Sequence, residues 1–395
     1  MDREPANLPG IPMPKGWIWL CKQLDTVQEA WNYILHQAAA DDLERCRQEA
    51  ADLSDDGEGL APYRVGGELL QVRSTGARGG FRWVAGNDDF LLMFKPGGAG
   101  WSITVRYLAA GLWEYGIDDL VERVKAILDK LGEPNDDDYR RLTRADIAYD
   151  FYAPGFAESA TVRLAEGVLM PAKCKARTVT LPHLDKVTTF SRGGRIETLT
   201  LGSKSTLQVE LYNKTLEITE ASGKEWMYPI WEENGLPGAV RSDVWRLEIR
   251  FAKEWLQNRG IRRLSEFIEW QYALVREAVQ SRRLTVPTND SNRARWPLHP
   301  FWNVVQELTP VPFLAPRGRR VTARADAIKA QLIKMVGGIS HSFYAIDNRG
   351  EDEISDVLAL DRLYAAAKEF ALKDPEQQRK LKRASERYRF IEEAR

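Results

Sequence analysis

The chain has 395 residues, 44% of them hydrophobic, and carries 56 basic against 57 acidic side chains for a formal net charge of −1. That is enough apolar material for a real core and for two or three domains of ordinary size. Near-neutrality excludes a passive coat for a polyanion, which needs basic charge along its whole length, but leaves room for a local basic groove.

Only Cys21, Cys46 and Cys174 are present, none at metal-ligand spacing; an odd, sparse set fits a reducing compartment and not a disulfide scaffold. The opening "MDREPANLPG" lacks the charged and apolar regions of a signal peptide. No apolar run approaches the ~20 residues of a membrane span. The expected location is the cytoplasm, with no membrane partner.

Residues 17–36, "WIWLCKQLDTVQEAWNYILH", read as a short aromatic strand passing into a helix, and the next twenty as a polar, acidic helix. From 65 to 107 short apolar runs are separated by Gly-Asn-Asp and Gly-Gly turns, a β pattern. Gly79-Gly80 and Gly97-Gly98 lack the spacing of a nucleotide fingerprint and read as turns. Residues 117–131 place Leu120, Val124, Leu128 and Leu131 at helical steps before Gly132.

Strand patterns follow in "LTRADIAYDFY", across 178–218, and in "VWRLEIRF" at 244–251; beyond 252 the pattern is largely helical. The expected class is α+β: a central antiparallel sheet with packed helices, followed by a mainly helical C-terminal region. The expected division is 1–135, an N-terminal α/β part; 136–255, a catalytic sheet; and 256–395, a helical region binding DNA or a partner.

Residues two apart in a strand share a face. Asp146, Ala148 and Asp150 therefore point one way, as do Arg246, Glu248 and Arg250, and Glu210, Tyr212 and Lys214. One reading is a sheet with a solvated side. The other brings Asp146, Asp150 and Glu248 together, where hard oxygen ligands suit Mg²⁺ or Mn²⁺. Tyr212 on the same face is then either a polar plug or a nucleophile for in-line attack on phosphorus. A phenol near pKa 10 needs a metal, a lysine or a general base to attack, and Lys214 or Lys204 supplies local positive charge.

His36, His183, His299 and His341 form no pair at metal-binding spacing. Ser203 and Ser205 have no recognisable His–Asp arrangement and read as part of a turn.

Four segments in order, "RADIAYD" (144–150), "TLTLGSKS" (198–205), "ELYNK" (210–214) and "WRLEIRF" (245–251), resemble the core of the replication initiation factors of phages and small rolling-circle plasmids that lack the paired-histidine motif. The resemblance covers roughly 140–255. It implies a strand-specific nicking and joining activity at a replication origin, through a 5′-phosphotyrosine link that leaves a free 3′ hydroxyl. Carried onto this chain, Tyr212 matches the nucleophile and Asp146 and Glu248 match acidic metal-site positions. Asp150 matches a second recurrent acid, and Arg144 and Arg246 match recurrent basic positions that support the site or the phosphate. The cofactor implied is a divalent metal, Mg²⁺ or Mn²⁺. The partners implied are single-stranded or locally melted origin DNA, a host helicase and a second copy of the chain.

One residue departs from the pattern. Glu210 stands where the family has arginine, so it is either an additional carboxylate ligand or the mark of a lineage that kept the fold and lost catalysis. Basic segments for DNA contact are "NRGIRRL", "SRRL" and "RGRRVTAR", with Arg262, Arg263, Arg282, Arg283, Arg317, Arg319, Arg320 and Arg324, together with Lys204 in the "GSKS" turn. A nonenzymatic DNA-binding protein on the same fold is the alternative. A tyrosine recombinase lacks its Arg–His–Arg constellation here.

Overall fold

A computed structural model describes residues 13–53, 59–97, 100–156, 166–169, 187–192, 195–308, 311–313 and 356–373. The N-terminal strands are β1 (Ile18–Trp31), β2 (Tyr33–Leu35), β3 (Leu60–Val65), β4 (Glu68–Arg73), β5 (Trp83–Gly86), β6 (Phe90–Phe94) and β7 (Ile103–Leu108). They are followed by β8 (Gly132–Pro134), β9 (Arg140–Tyr152), β10 (Val168–Leu169), β11 (Val187–Arg192), β12 (Arg195–Gly202), β13 (Leu207–Asn213), β14 (Val244–Ala252) and β15 (Arg283–Leu284). Eleven of these form one sheet in the order β11-β12-β13-β14-β9-β1-β7-β6-β5-β4-β3, and every pairing in it is antiparallel. The α+β expectation holds.

Helices α1 (Gln37–Asp52), α2 (Ala109–Glu114), α3 (Ile117–Leu131), α4 (Lys214–Glu217) and α5 (Met227–Glu233) are inserted between strands. Helices α6 (Lys253–Gln257), α7 (Leu264–Ser281), α8 (Pro300–Glu307) and α9 (Asp356–Lys373) follow the last strand of the sheet. The chain divides into two compact units, one of Met1–Thr219 with Tyr228–Gly318 and one of Glu220–Met227 with Arg319–Arg395. Residues 256–318, assigned by sequence to the C-terminal region, lie in the first unit, and β1 from the N-terminal part is hydrogen-bonded to β9 of the expected catalytic sheet. No helix among the described residues is long and apolar enough to cross a membrane.

The helix expected in the second half of 17–36 is instead strand. β1 runs through Trp31 with β9 on one side and β7 on the other. Gln28, Glu29 and Ala30 favour helix in isolation, but Val27, Glu29 and Trp31 are buried at two-residue steps. Ladder hydrogen bonds on both edges outweigh a propensity of a few tenths of a kcal/mol per residue. Other elements follow their local chemistry. α3 occupies 117–131 as expected, and its Leu120, Val124, Leu128 and Leu131 are buried. The Asn87 side chain accepts from the amides of Asp89 and Phe90 at 2.9 and 3.1 Å, an Asx turn that closes the β5–β6 hairpin.

One face of the β9–β14–β13 region packs the core. Ile147, Tyr149 and Phe151, Leu247, Ile249 and Phe251, and Val209 and Leu211 are buried there. Helices α7 and α8 cover that face: Phe251 meets Phe267 with ring centroids 5.6 Å apart, and Phe151 meets Phe301 at 5.2 Å. The other face carries the charges.

Candidate functional site

Strand register arranges the charged face in transverse rows. Tyr212, Arg246, Asp150 and Cys21 lie side by side on β13, β14, β9 and β1; the next row is Glu210, Glu248, Ala148 and Gln23, and the next Gln208, Arg250, Asp146 and Thr26. A bulge between Leu24 and Thr26 leaves Asp25 as an extra residue on β1. Such an insertion re-aims a side chain, and Asp25 is directed into the row of Arg246.

This face is not a solvated side. Asp146, Asp150 and Arg246 have no exposed surface, and Glu248 is 7% exposed. Charges survive such burial only when paired with good geometry. Arg246 donates from Nε and Nη2 to the two oxygens of Asp150 at 2.6 and 2.8 Å, and from Nη1 to Asp25 Oδ1 at 2.6 Å. Asp150 Oδ2 also accepts from the indole Nε1 of Trp231 on α5 at 3.0 Å and from Cys21 Sγ at 3.4 Å. Burial opposes charge on Arg246, but Asp150, Tyr212 and Asp25 outweigh it and hold the guanidinium protonated.

Asp146 is held by two arginines. Arg144 Nε lies 2.9 and 3.0 Å from its two oxygens, and Arg250 Nε lies 3.2 Å from Oδ2. Arg250 also donates to Glu248 Oε1 at 3.2 Å and to Gln208 Oε1 at 3.1 Å. Glu248 Oε2 accepts from the Tyr212 hydroxyl at 3.1 Å. Burial and the negative charges of Asp25 and Asp146 push Glu248 up to about 7. Burial, then Glu248, push the Tyr212 phenol well above 10.

The structure thus brings together Tyr212, Glu248, Arg246, Asp150 and Asp146, but not as a carboxylate cage. Asp146 and Asp150 each face guanidinium, and Glu210 is a row away from Tyr212, accepting from Thr200 Oγ1 at 2.8 Å. Among the described residues no group of three or more His, Cys, Asp or Glu side chains could hold a metal ion. The residues present do not fit a preformed divalent-cation site, because the oxygens of Asp146 and Asp150 and one of Glu248 are held by arginine, while Glu210 turns to Thr200.

Lys214 is buried on α4 and bonds Glu217 Oε2 at 2.5 Å, with Nζ 5.6 Å from the centre of the Tyr212 ring. It lies beneath the ring, engaged by a carboxylate. Lys204 is exposed in the β12–β13 turn, eight positions before Tyr212.

Of the basic residues singled out for DNA contact, Arg262 and Arg263 are exposed, and Arg263 pairs with Asp138 at 3.0 Å. Arg283 is partly exposed on β15. Arg282 is no surface cation: it is 5% exposed and reaches the Leu207 carbonyl and the Ser281 hydroxyl, at 3.4 and 3.0 Å. The helix α7 turns it inward against the start of β13. Arg317, Arg319, Arg320 and Arg324 lie outside the described residues.

Three residues of the site were missed by sequence reading. Arg250 shares strand parity with Arg246 and Glu248, so its place was available. Asp25 was readable only through the alternation Cys21, Gln23, Asp25, which the helical reading of that segment hid. Trp231 has no sequence signal, because its contact with Asp150 joins a helix to a strand 81 positions away.

No protein-family model and no curated protein matches the chain. Among solved structures it is similar to the rolling circle replication initiator protein from Geobacillus stearothermophilus, with a TM-score of 0.39 and 17% identity over 77% of this chain and 100% of that one. A likeness of that degree carries no inference about this chain's chemistry.

Proposed function

We propose that the chain is a replication initiator that nicks one DNA strand at an origin and later rejoins it, with Tyr212 as nucleophile. The observation that carries the reading is the 3.1 Å contact from the Tyr212 hydroxyl to Glu248. A phenol held protonated is a poor nucleophile until a base takes its proton as the bond forms, and a base near pKa 7 is matched to that task. Tyr212 Oη attacks the phosphorus and its proton passes to Glu248. The bond from phosphorus to O3′ breaks, the departing oxygen takes a proton from solvent, and a 5′-phosphotyrosyl ester remains. Rejoining is the reverse, with the 3′ hydroxyl as attacking group. The order of the four motif segments supports the same reading.

In this mechanism Arg246, locked between Asp150 and Asp25, fixes the strand that carries Glu248. Arg250 bridges Glu248 and Asp146 and is the cation best placed to meet a phosphate oxygen. The divalent metal stays outside the mechanism; Mg²⁺ or Mn²⁺ dependence is a separate proposal, since an entering ion must first displace Arg250. The proposed partners are locally melted origin DNA, a host helicase and a second copy of the chain.

A second reading, a nonenzymatic DNA-binding protein, is favoured by one observation: three of the carboxylates expected to bind metal, Asp146, Asp150 and Glu248, are paired with arginine. The two separate in one experiment. The protein is incubated with pooled single-stranded DNA and Mn²⁺, comparing wild type with Tyr212→Phe, and adducts are read on a denaturing gel with mass spectrometry of the linked peptide. An adduct on the Tyr212 peptide, lost in the variant, supports nicking. An adduct at another tyrosine sinks the site assignment, and binding without adduct favours the second reading.

A further inference from the structure

The charged face does not end at the tyrosine site. It continues across the other half of the sheet, where Val105, Tyr107, Leu92, Leu70 and Val72 are buried on the opposite face. In register, Arg144, Gln28 and Arg106 lie side by side on β9, β1 and β7, and the row runs on through Leu91 and Gly86 to Gln71 on β4. Arg73 stands two residues along β4 from Gln71 and so shares its face, as does Arg64, which pairs with Leu69. Arg250 occupies the neighbouring row beside Asp146.

Toward β7 and β4 the charges on this face do not balance. Asp146 serves both Arg144 and Arg250, the latter also pairing with Glu248. Arg106 donates from Nε and Nη2 to the neutral Gln28 Oε1, at 3.1 and 3.0 Å. Arg64 and Arg73 are exposed and make no ion pair among the described residues. Burial, then the guanidinium of Arg144, with Arg250 and Arg73 behind it, depress Arg106 below its ordinary value against the opposing charge of Asp146. Like charges crowded in this way are unfavourable until an anion joins them.

We propose that this face is the track of a nucleic-acid backbone, whose phosphates run from the tyrosine site across β14, β9, β1 and β7 to β4, held by Arg250, Arg144, Arg106 and Arg73. Seven strand-to-strand steps from β13 to β4 span about 34 Å at about 4.8 Å each, the length of a backbone segment of several nucleotides. The place where the track ends rests on the tyrosine reading. The sign and chemistry of the partner do not.

The test is titration of labelled single-stranded and duplex DNA by fluorescence anisotropy between about 50 and 200 mM salt. Wild type is compared with R73Q/R106Q and R73K/R106K, with folding checked by circular dichroism. Losing two phosphate contacts lowers the log–log salt slope by about 1.4–1.8 and weakens binding roughly tenfold at the lowest salt; the lysine pair keeps the slope. If R73Q/R106Q does not fold, the exposed Arg73→Gln alone is expected to lower the slope by about 0.7–0.9. An unchanged slope overturns the track. The adduct experiment on wild type keeps the two readings apart. Slope loss without an adduct supports the track and sinks the nicking chemistry, whereas an adduct with an unchanged slope sinks the track alone. Absence of any DNA binding by the wild type overturns both.

Discussion

Tyr212 and Glu248 are diagonal neighbours. In register Tyr212 faces Arg246 and Glu248 faces Glu210, yet the tyrosine hydroxyl reaches across to Glu248 Oε2 at 3.1 Å. A diagonal contact of this kind is within reach of a long aromatic side chain on a sheet. It places a proton acceptor beside the proposed nucleophile while Arg246, directly opposite the tyrosine, is occupied by Asp150 and Asp25.

This relationship sets a pH dependence. Glu248 must be ionised to accept the proton, so strand cleavage should rise with pH through about 7. Glu248→Gln should lower the rate about 10²–10⁴-fold and abolish that limb. Asp25→Asn should move the midpoint to lower pH, because the Asp25 charge helps hold Glu248 up. A midpoint that does not move in Asp25→Asn would sink the assignment of the limb to Glu248.

The same raised pKa predicts a stability change. In the unfolded chain Glu248 titrates near its ordinary value, so its contribution is present below about 4.5 and is lost as pH rises through about 7. Glu248→Gln should therefore gain on wild type between pH 5 and pH 8, by on the order of 3 kcal/mol. Urea unfolding at the two pH values measures this.

Breaking the buried ion lattice should be costly in a different way. Asp150→Asn takes from Arg246 its bidentate carboxylate partner, and the expected loss is about 3–5 kcal/mol. Replacing Asp150→Leu together with Arg246→Met should recover part of it, because neither member of that pair is then left alone, while Asp25, partly exposed, loses the Arg246 guanidinium. Calorimetric midpoints of the two singles and the double check the sign of the coupling.

Lys22 offers a prediction on the opposite face. It is fully buried, donating to Gln271 Oε1 and the Val311 carbonyl at 3.0 and 2.8 Å, and burial lowers it to about 7. A depressed lysine leaves stability intact above about 10.5 and lost progressively as pH falls to about 7. Lys22→Met should therefore gain on wild type by more at pH 7 than at pH 10, by on the order of 2–4 kcal/mol before the lost hydrogen bonds are counted. An equal gain at both pH values would contradict the buried-charge account.

Arg250 sets an expectation for metal. Because it bridges Asp146 and Glu248, wild type should bind Mn²⁺ weakly, and Arg250→Gln should bind it more tightly by freeing Glu248 Oε1 and leaving Asp146 with Arg144 as its arginine partner among the described residues. Isothermal titration gives the comparison, with tighter binding by the wild type as the contrary outcome.

Local pattern was enough for the helix at 117–131, the strands around 146–150 and 244–251, and the sharing of one face by Asp146 and Asp150, and by Arg246 and Glu248. These follow from periodicities of 3.6 and 2, which a side chain obeys whatever its distant neighbours are. The strand character of 26–31 was not legible, because it comes from ladders to residues about 75 and 115 positions away that cancel a modest helical preference. Nor was the pairing of Asp146, Asp150 and Glu248 with arginines. Alternation says which way a carboxylate points; only register and a bulge on β1 decide that Asp150 meets Arg246, that Asp25 joins it, and that Glu248 is shared between Arg250 and the tyrosine. Residue types and faces were therefore properties of the chain itself, while the tertiary fold chose the partners, since burial makes each of those choices cost several kcal/mol if made wrongly.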